Sequence, residues 1–485
     1  MLPGSRLPCA LIVLAGGGST RMGMDKAHLP WSWRRLPLYR IQLDKADRLG
    51  PERVPALLSG REGQTYPELP DGVRLVHDAP DLAGQGPLAG LVSCLEACAE
   101  SWVAVLAIDT PLIPGDYLAD LLEEAQQSGK SVVPRDGEKW EPLVAVYHRE
   151  TLLEAARHQL AAGRRDLQSL ARAGAAAGWL IARTVAPMER WMFANLNTLL
   201  EVKEQERFAS SATAVRVTRH SFEGTEDPGS STTAFDSVAT EEPLEIRVQG
   251  RSIALTMRTP GHDEELAAGF LFTEGLLNTP EDLEEIVQCP ALEQGSEGNV
   301  VDVKLRPGLA VDFESLTRHV FTSSSCGLCG KATIAAICGR IHRLTGGPQV
   351  SPGLLRSLPA KLREAQATFG ITGGLHASAL FSAAGDLLIV REDVGRHNAL
   401  DKVIGRSLLD GKLPLTSGML LVSGRLSFEL TQKAHLAGLT IVAGISAPSS
   451  LAVAHAHDSG QTLVGFLRDR YFNVYAGAHR LVREE

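Results

Sequence analysis

The chain has 485 residues, more than the roughly 100 to 200 that one domain usually holds, so two or three domains are expected. Hydrophobic residues make up 44% and charged residues 22%, typical of a globular protein, and a formal net charge of −9 argues against nucleic acid as a partner. No apolar run reaches the roughly 18 residues of a membrane span, and the seven cysteines lack disulfide-like regularity, so we expect a cytoplasmic protein without a membrane segment.

The first two hundred residues alternate apolar runs with helical patterns. Strands are predicted by the apolar runs at 11–15, 54–59, 73–77, 102–108 and 143–147. Continuous apolar runs of this length indicate strands buried on both faces of a largely parallel sheet. Helical patterns at 118–127 and 151–160 lie between or after them, as in an α/β domain.

The composition changes between the two halves of the chain. We predict a linker or arm over 208–242, because the stretch from Arg219 to Glu242 is rich in Ser, Thr, Gly and acidic residues and poor in core residues. This leaves an N-terminal domain over 1–207 and a C-terminal domain over 243–485. In the second domain we predict a β-hairpin about Gln249-Gly-Arg251, a helix over 262–277, and buried strands at 387–390, 418–422 and 439–442.

The first predicted strand leads into Leu14-Ala-Gly-Gly-Gly-Ser-Thr-Arg-Met-Gly-Met-Asp-Lys26, a glycine-rich turn without the Walker A pattern. Backbone N–H groups of such a turn can surround phosphates, and Lys26 adds positive charge. Asp78 and Asp109 end two further predicted strands, at the edge where open α/β sheets bind ligands. A carboxylate at Asp109 suits Mg²⁺ bound with substrate phosphates, with a cap for the following helix as the alternative.

Residues 1 to about 205 resemble the molybdenum cofactor guanylyltransferase family (MobA), which has a Rossmann-like nucleotidyltransferase fold. The resemblance is carried by Leu14-Ala-Gly-Gly, Asp25-Lys26, Gly86-Pro-Leu-Ala-Gly90, Asp109-Thr-Pro111 and Phe193-Ala-Asn-Leu-Asn-Thr198. It implies that GTP and molybdopterin are the substrates and that Asp109 holds Mg²⁺. The residues it implies at the GTP site are Leu14, Ala15, Gly16, Lys26, Asp78 and Asp109, with Asn195 and Asn197 on the pterin side.

Two positions depart from this family pattern. Gly60 stands where an Asn often precedes the Arg, and Leu199-Leu-Glu201 stands in place of Pro-Glu-Asp. The change at Gly60 affects the expected ribose or base contacts and leaves the phosphate site intact.

Cys326-Gly-Leu-Cys329 lies among small residues, ahead of a predicted helix over 331–338. A helix N-terminus lowers the pKa of a nearby thiol, so this pair suits sulfur chemistry. A structural zinc site and a thioredoxin-like redox pair stay open as alternatives, although the first usually has a second ligand pair and the second follows a βαβ start. The zinc deaminase signature is absent, because Ser325 precedes Cys326 and no H-x-E is found at His376.

Residues from about 215 to 485 resemble the formate dehydrogenase accessory sulfurtransferase family (FdhD). The motifs are Met257-Arg-Thr-Pro-Gly-His-Asp263, Cys326-Gly-Leu-Cys-Gly330, Arg391-Glu-Asp-Val-Gly-Arg-His397, Val422-Ser-Gly-Arg425 and Gly465-Phe-Leu-Arg-Asp-Arg-Tyr471. The resemblance implies a cytidine deaminase-like α/β core. It also implies a sulfur carrier that receives a persulfide from a cysteine desulfurase and sulfurates the Mo-bis(molybdopterin guanine dinucleotide) cofactor of formate dehydrogenase. It leaves room for a homodimer.

Cys326 is the expected persulfide carrier, and Cys329 is expected to accept, relay or protect the sulfur. The resemblance implies contacts with the guanine dinucleotide from Phe466, Leu467, Arg468, Asp469, Arg470 and Tyr471. A charged strip suits phosphate binding, or equally a salt-bridged turn with a helix cap; its members are Arg391, Glu392, Asp393, Arg396 and His397.

The two halves together indicate a bifunctional protein, a guanylyltransferase fused to a sulfurtransferase that uses its product. Two other interpretations of the N-terminal domain stay open: a different nucleotidyltransferase, such as one acting on sugar phosphates, and an inactive cofactor-binding module.

Overall fold

The computed structural model describes residues 8–16, 25–31, 36–61, 63–67, 69–79, 82, 85–221, 230–289, 298–309 and 342–482. The predicted helix over 331–338 lies outside them. The described residues cluster into two units, one reaching Ala209 and including Ala214–Asp236, the other formed by Ser210–Thr213 and the chain from Ser237 onward. Within these ranges no helix is long and apolar enough to cross a membrane.

An eight-stranded sheet forms the centre of the first unit. The strands of this part are β1 (Cys9–Leu14), β2 (Pro30–Trp31), β3 (Leu36–Pro37), β4 (Ala56–Gly60), β5 (Val73–His77), β6 (Trp102–Ala107), β7 (Ser131–Asp136), β8 (Lys139–Trp140), β9 (Val144–His148) and β10 (Leu180–Thr184). The order in the sheet is β10-β7-β9-β6-β1-β4-β5, with β8 paired to β7, while β2 and β3 pair with each other.

Helices cover this sheet. The α-helices are α1 (Leu38–Leu43), α2 (Pro87–Ala97), α3 (Gly115–Ser128), α4 (Arg149–Ala161), α5 (Leu167–Ala176) and α6 (Leu199–Ser211). Short 3₁₀ helices are found at Lys26–His28, Asp44–Arg48 and Pro187–Phe193.

The central strands β1, β4 and β6 are buried on both faces, as the apolar runs predict, but the edge strand β5, predicted in the same way, has no fully buried residue. In β1, Leu11 and Val13 belong to the core on one face, and Ala10 and Ile12 to the core on the other. All four side chains are fully buried. Strand β1 runs parallel to β4 and β6, but β9 runs antiparallel to both of its neighbours, so the sheet is mixed at that side. Apolar composition carries no information on strand direction, which is why the sequence missed this reversal.

The segment predicted as a linker holds regular structure. Strands β11 (Ala212–Ser221) and β12 (Ser230–Ala239) pair as a two-stranded sheet. Phe235 is buried with its ring edge-on to Tyr117, and Arg216 forms an ion pair with Asp120. Polar composition alone did not predict these strands or the burial of the large aromatic side chain of Phe235. The domain boundaries themselves stay a prediction.

The second unit contains a four-stranded and a six-stranded sheet. The strands are β13 (Glu242–Val248), β14 (Arg251–Arg258), β15 (Leu283–Gln288), β16 (Val300–Leu305), β17 (His376–Phe381), β18 (Leu387–Asp393), β19 (Met419–Val422), β20 (Ile441–Gly444), β21 (Thr462–Gly465) and β22 (Asn473–Ala476). The orders are β14-β13-β16-β15 and β18-β17-β19-β20-β21-β22, and β19, β20 and β21 run parallel. The expected α/β class is thus confirmed for both units.

Helices and short 3₁₀ turns connect these strands. The α-helices are α7 (Asp263–Thr273), α8 (Pro352–Ala365), α9 (Ala367–Thr372), α10 (Arg396–Leu409), α11 (Phe428–Leu436) and α12 (Ser450–Ser459). The 3₁₀ turns are Pro280–Asp282 and Ala478–Arg480.

Helices α7 and α10 pack backbone against backbone through two glycines. A Cβ atom on Gly405 would lie 1.8 Å from the carbonyl oxygen of Glu265, and one on Gly269 would lie 1.9 Å from that of Asp401. Neither distance is compatible with any side chain, so the close crossing depends on glycine at both positions. This crossing sets where the first turn of α10, with Arg396 and His397, lies relative to α7.

Candidate functional site

The predicted GTP-binding residues of the first unit meet at one edge of its sheet. Strands β6, β1, β4 and β5 are neighbours and run parallel, so their carboxyl ends lie side by side. Ala15 and Gly16 follow β1, Asp78 follows β5 and Asp109 follows β6. This edge is where open α/β sheets bind ligands, and it carries positive, negative and backbone groups together.

Lys26 and Asp109 form an ion pair at this edge. The Lys26 Nζ lies 3.6 Å from Oδ2 of Asp109, and both side chains are partly buried. Asp25 positions the lysine, because its carboxylate accepts a hydrogen bond from the backbone N–H of Ala27 at 3.0 Å and caps the 3₁₀ helix that Lys26 begins. A phosphate site that uses Mg²⁺ is expected to have a lysine that neutralises phosphate charge and a carboxylate that can hold the metal ion. Lys26 and Asp109 are groups of these two kinds.

Asp78 lies at the other end of the same edge. Strands β1 and β4 separate it from Asp109, so the ends of β5 and β6 lie roughly 14 Å apart at about 4.8 Å per strand. A Cβ on Gly90 would lie 3.2 Å from Oδ1 of Asp78 and 2.6 Å from Oγ of Ser59, so glycine allows α2 to approach these groups. Burial raises the pKa of Asp78, and His77 partly opposes the increase. The structure thus assigns Asp78 and Asp109 to different parts of the edge.

The Gly60 departure has a steric explanation. A Cβ on Gly60 would lie 3.0 Å from Cδ1 of Leu75 and 3.1 Å from Cε2 of Tyr66. The Tyr66 ring is held in turn by stacking on His28, with ring centroids 5.1 Å apart, and by a hydrogen bond from its hydroxyl to Gln64. The space that a side chain at position 60 would need is therefore occupied by Leu75 and Tyr66.

Replacing Gly60 with the family's usual Asn is accordingly expected to destabilise this chain. The new side chain would displace Tyr66 or Leu75, at a cost of about 1 to 3 kcal/mol in the free energy of unfolding, the usual cost of overpacking. Chemical denaturation of G60N measures this. Gly63→Asn is the matched control, because no described residue lies within 4 Å of the point that its Cβ would occupy, and asparagine tolerates the left-handed φ of +83° found there. Equal stability of wild type and G60N would contradict the steric argument.

Asn195 and Asn197 lie beside the strand end that carries Asp109. The backbone N–H of Leu196 donates a hydrogen bond to the carbonyl of Asp109 at 3.0 Å. Asn195 is exposed, whereas the backbone N–H of Asn197 donates to Oε2 of Glu201 at 2.7 Å, as part of the capping interactions that begin α6. Glu201, noted in the sequence only as a departure, therefore positions this segment.

Gln42 and Lys45 are two residues of this site that the sequence did not single out. The Gln42 amide donates to the carbonyl of Ala107 at 2.7 Å, and the Lys45 ammonium donates to that of Pro111 at 3.1 Å. The two buried side chains also contact each other, so they hold the loop that contains Asp109 at both ends. Burial lowers the pKa of Lys45 to about 7. The local sequence gives no sign that Gln42 and Lys45 are buried, because Gln and Lys are common on exposed helix faces.

The second unit also has polar groups at the carboxyl ends of parallel strands. Three loops follow β19, β20 and β21, beginning at Ser423, Ile445 and Phe466. Their order in the sheet places the loop of Arg425 and the segment from Phe466 to Tyr471 at the same edge, two strands apart. Arg425 and the segment from Phe466 to Tyr471 are far apart in the sequence and were related only by the family resemblance. In the fold they share one edge of the sheet.

The segment from Phe466 to Tyr471 is shaped by its backbone. Phe466 adopts a φ of +52°, a left-handed conformation that costs a non-glycine residue about 1 kcal/mol or more. The N–H of Phe466 donates to the carbonyl of Ser446, and that of Arg468 donates to Tyr471. Leu467 packs in the core, whereas Arg468, Asp469, Arg470 and Tyr471 are exposed. A ligand can therefore meet those four side chains, but Leu467 only through its backbone.

Three residues of the predicted charged strip have structural partners. Arg391 pairs with both carboxylate oxygens of Glu265, at 2.5 and 2.7 Å. Burial alone would raise the pKa of Glu265, but hydrogen bonds from Arg391 and His262 hold it at about 2. Glu392 accepts hydrogen bonds from two N–H groups at the start of α9, and Asp393 forms a buried ion pair with Lys402 at 2.7 Å.

Arg396 and His397 are the two strip residues left at the sheet edge. They begin α10 and lie near His376, on β17, and near the start of α11. The His397 Nε2 lies 3.0 Å from a carboxylate oxygen of Glu429 and 3.3 Å from Oγ of Ser427. Neither Ser427 nor Glu429 was predicted, because an N-cap serine and a first-turn glutamate are ordinary features of a helix start.

Cys326, Cys329 and Arg21 lie outside the described residues. Of the cysteines that the structure describes, Cys9, Cys94 and Cys98 are buried in the first unit, and Cys289 is partly buried in the second. Across the described ranges, no three His, Cys, Asp or Glu side chains are grouped as a metal site. The zinc alternative for the Cys326 motif is not decided by this observation.

Two compact units, each with a sheet, covering helices and polar residues at the carboxyl ends of its parallel strands, define an α/β protein. The FdhD/NarQ family model matches residues 239–482, and the MobA-like NTP transferase domain model matches residues 11–177. The chain belongs to the FdhD/NarQ family and carries a MobA-like NTP transferase domain in its N-terminal part.

Similar proteins of known designation align with the second half of the chain. The sulfur carrier protein FdhD of Streptomyces avermitilis is 54% identical over 258 residues, covering 52% of this chain and 92% of that protein. The proteins of the same designation from Mycobacterium tuberculosis and Saccharolobus solfataricus are 49% and 44% identical, covering 51% of this chain and 92% and 91% of those proteins.

Solved structures align with each part separately. A formate dehydrogenase accessory protein of Desulfotalea psychrophila is 25% identical with a TM-score of 0.43, covering 56% of this chain and 100% of that one. Molybdopterin-guanine dinucleotide biosynthesis protein A of Archaeoglobus fulgidus is 21% identical with a TM-score of 0.34, covering 41% of this chain and 98% of that one.

Proposed function

We propose that the chain is a bifunctional maturation protein for the molybdenum cofactor. Its N-terminal domain transfers GMP from GTP to molybdopterin, and its C-terminal domain is a sulfur carrier that sulfurates the resulting Mo-bis(molybdopterin guanine dinucleotide) for formate dehydrogenase. The observation that carries the proposal is the presence in one chain of a MobA-like NTP transferase domain and an FdhD/NarQ domain. A fusion of this kind raises the local concentration of the product at the second domain.

The residues of the first unit suit guanylyl transfer. The terminal phosphate of molybdopterin would attack the α-phosphorus of GTP, and the bond to pyrophosphate would break. Lys26 neutralises phosphate charge, and the backbone N–H groups of Ala15 and Gly16 at the end of β1 would face the phosphates. Asp109 would hold Mg²⁺, which when bound supplies further positive charge to the phosphate oxygens. Asn195 and Asn197, tied to Asp109 through Leu196, would meet the pterin.

The C-terminal domain would carry sulfur on Cys326. The Cys326 thiolate attacks the outer sulfur of a persulfide on a cysteine desulfurase and releases the desulfurase thiolate, and Cys329 accepts, relays or protects the sulfur. The segment from Phe466 to Tyr471 binds the guanine dinucleotide, with Arg468 and Arg470 facing its phosphates. The cytoplasm, which keeps thiols reduced, is the proposed location, and a homodimer is compatible with it.

Sulfur loading tests the carrier assignment. After incubation with a cysteine desulfurase and cysteine, the wild type is expected to gain the mass of one sulfur atom at Cys326, and Cys326→Ser to gain none and to lose formate dehydrogenase maturation. Cys289→Ser is the matched control, a second free thiol of the same unit that is expected to load normally. Normal maturation by C326S, or near-stoichiometric zinc bound at an unloaded Cys326, would contradict the assignment.

A further inference from the structure

The carboxyl edge of the second unit carries two arginines, Arg396 and Arg425, that have no acidic partner among the described residues. Arg391, Lys402 and Lys433 each pair with a carboxylate. For Arg396 and Arg425, in contrast, no carboxylate of the described residues lies within 4.0 Å of the guanidinium. The Nε of Arg396 is buried and has no acceptor among the described residues. Buried donors are normally satisfied, so an unsatisfied cationic donor at a strand edge points to an anionic ligand.

Gly424 brings a third group to these arginines. A Cβ on Gly424 would lie 3.2 Å from Nδ1 of His376 and 3.7 Å from Cδ of Arg396, so both side chains lie over the bare backbone of this residue. Arg425 is the next residue along the chain and is exposed. Burial, Arg396 and Arg425 lower the pKa of His376, which is therefore neutral at pH 7 and offers a nitrogen to a ligand without adding charge.

An acidic residue, Glu429, lies next to His397 at the start of α11. Oε2 of Glu429 is 3.0 Å from Nε2 of His397, yet it forms no hydrogen bond within the described residues. Lys433, the nearest cation on the same helix, is already paired with both carboxylate oxygens of Asp401 at 2.9 Å. Glu429 is thus largely buried, and among the described residues no cation pairs with it alone. The neutral, protonated carboxyl is the form that such a position favours.

We propose that Arg396, Arg425 and His376 form a binding site for a negatively charged tetrahedral oxyanion group of the phosphate or sulfate type, and that Glu429, next to His397, takes up a proton when the anion binds. The proposed site thus combines two cationic arginines and the neutral His376 with the carboxyl group of Glu429, which lies next to His397. The inference rests on the proposed function only for its natural ligand, a phosphate group of the guanine dinucleotide.

The charges that face Glu429 determine whether anion binding takes up or releases a proton. Burial raises its pKa to about 7; Lys433 and Arg396 oppose this, and Asp401 and Glu274 add to it. An anion at Arg396 adds negative charge nearby and raises the pKa further, so binding takes up a proton near pH 7. Conversely, ionised Glu429 repels the anion above pH 7. Burial, Arg396, Lys433 and His376 lower the pKa of His397 to about 3, so His397 is neutral throughout this range.

Sulfate is the probe, because it stays a dianion between pH 6 and pH 8. Calorimetric titration of the full chain should show affinity falling about fivefold from pH 6 to pH 8, with proton uptake at pH 7 revealed by buffers of different ionisation enthalpy. Glu429→Gln should bind equally at both pH values and take up no proton. Arg396→Gln should lose most of the binding. Glu364→Gln, an exposed glutamate on α8, should behave as the wild type. Unchanged thermal melting of each variant shows that it is folded.

Two results would overturn the proposal: sulfate binding that R396Q leaves unchanged, and proton uptake that persists in E429Q but disappears in His376→Gln. Competition then identifies the source of the oxyanion. Displacement of sulfate by GDP supports a nucleotide phosphate, and displacement by inorganic pyrophosphate alone supports a free phosphate. The sulfate titration involves no sulfur transfer. Its result can therefore be interpreted even if Cys326 turns out not to carry sulfur.

Discussion

Gly405→Ala is expected to destabilise the second unit by about 3 kcal/mol or more, the upper part of the usual range for overpacking. The added Cβ would lie 1.8 Å from the carbonyl oxygen of Glu265, and this atom belongs to the α7 backbone, which no rotamer change can move. The helices must separate, which exposes part of the core between them. Thermal unfolding should show the loss as a fall of roughly 6 to 12 °C in the melting temperature.

Gly370→Ala is the matched control for this substitution. Gly370 is also a helical glycine of the second unit, in α9, but nothing lies within 4 Å of the point that a Cβ would occupy there. Alanine at this position should leave stability unchanged or raise it by up to about 1 kcal/mol, because alanine favours helix. If both variants melt at the wild-type temperature, the close crossing of α7 and α10 is wrong.

Asp109→Asn is expected to lower guanylyl transfer by about 10²- to 10³-fold, the range seen when one charge-stabilising group is lost. The substitution keeps the shape of the side chain and removes the negative charge that pairs with Lys26 at 3.6 Å and would hold Mg²⁺. Pyrophosphate release from GTP with molybdopterin as acceptor measures the rate. Calorimetric titration with Mg²⁺ and GTP measures binding separately, and the Mg²⁺ affinity should also fall.

Asp71→Asn serves as the control, since Asp71 is an exposed aspartate in the turn before β5 of the same unit. It should retain wild-type rate and Mg²⁺ affinity. A wild-type rate in D109N would place the metal elsewhere on the edge, whereas a slow rate with normal Mg²⁺ affinity would show that Asp109 acts through Lys26 alone. Inactivity of the wild type with molybdopterin would instead favour a different acceptor or an inactive module.

The functional residues differ in how far local sequence could predict their roles. The strip from Arg391 to His397 suited phosphates and salt bridges equally well by its composition. The tertiary structure divides it, because Arg391 and Asp393 have partners on α7 and α10, whereas Arg396 has no acidic partner among the described residues. Glu265 lies 126 residues from Arg391 in the chain, and Lys402 lies on the helix that follows the strip, so the composition of the strip does not identify either partner. Gln42, Lys45 and Glu429 were missed for the same reason.

The sequence by itself determined the α/β class, the position of most strands and the two families, because buried strands need continuous apolar runs and loops at a ligand need particular residues at fixed spacing. The tertiary structure decided the direction of β9, the burial of Phe235, the filled space at Gly60 and the glycine crossing at Gly405. Each of these depends on which elements become neighbours. That choice follows from packing over the whole domain, which a local pattern does not contain.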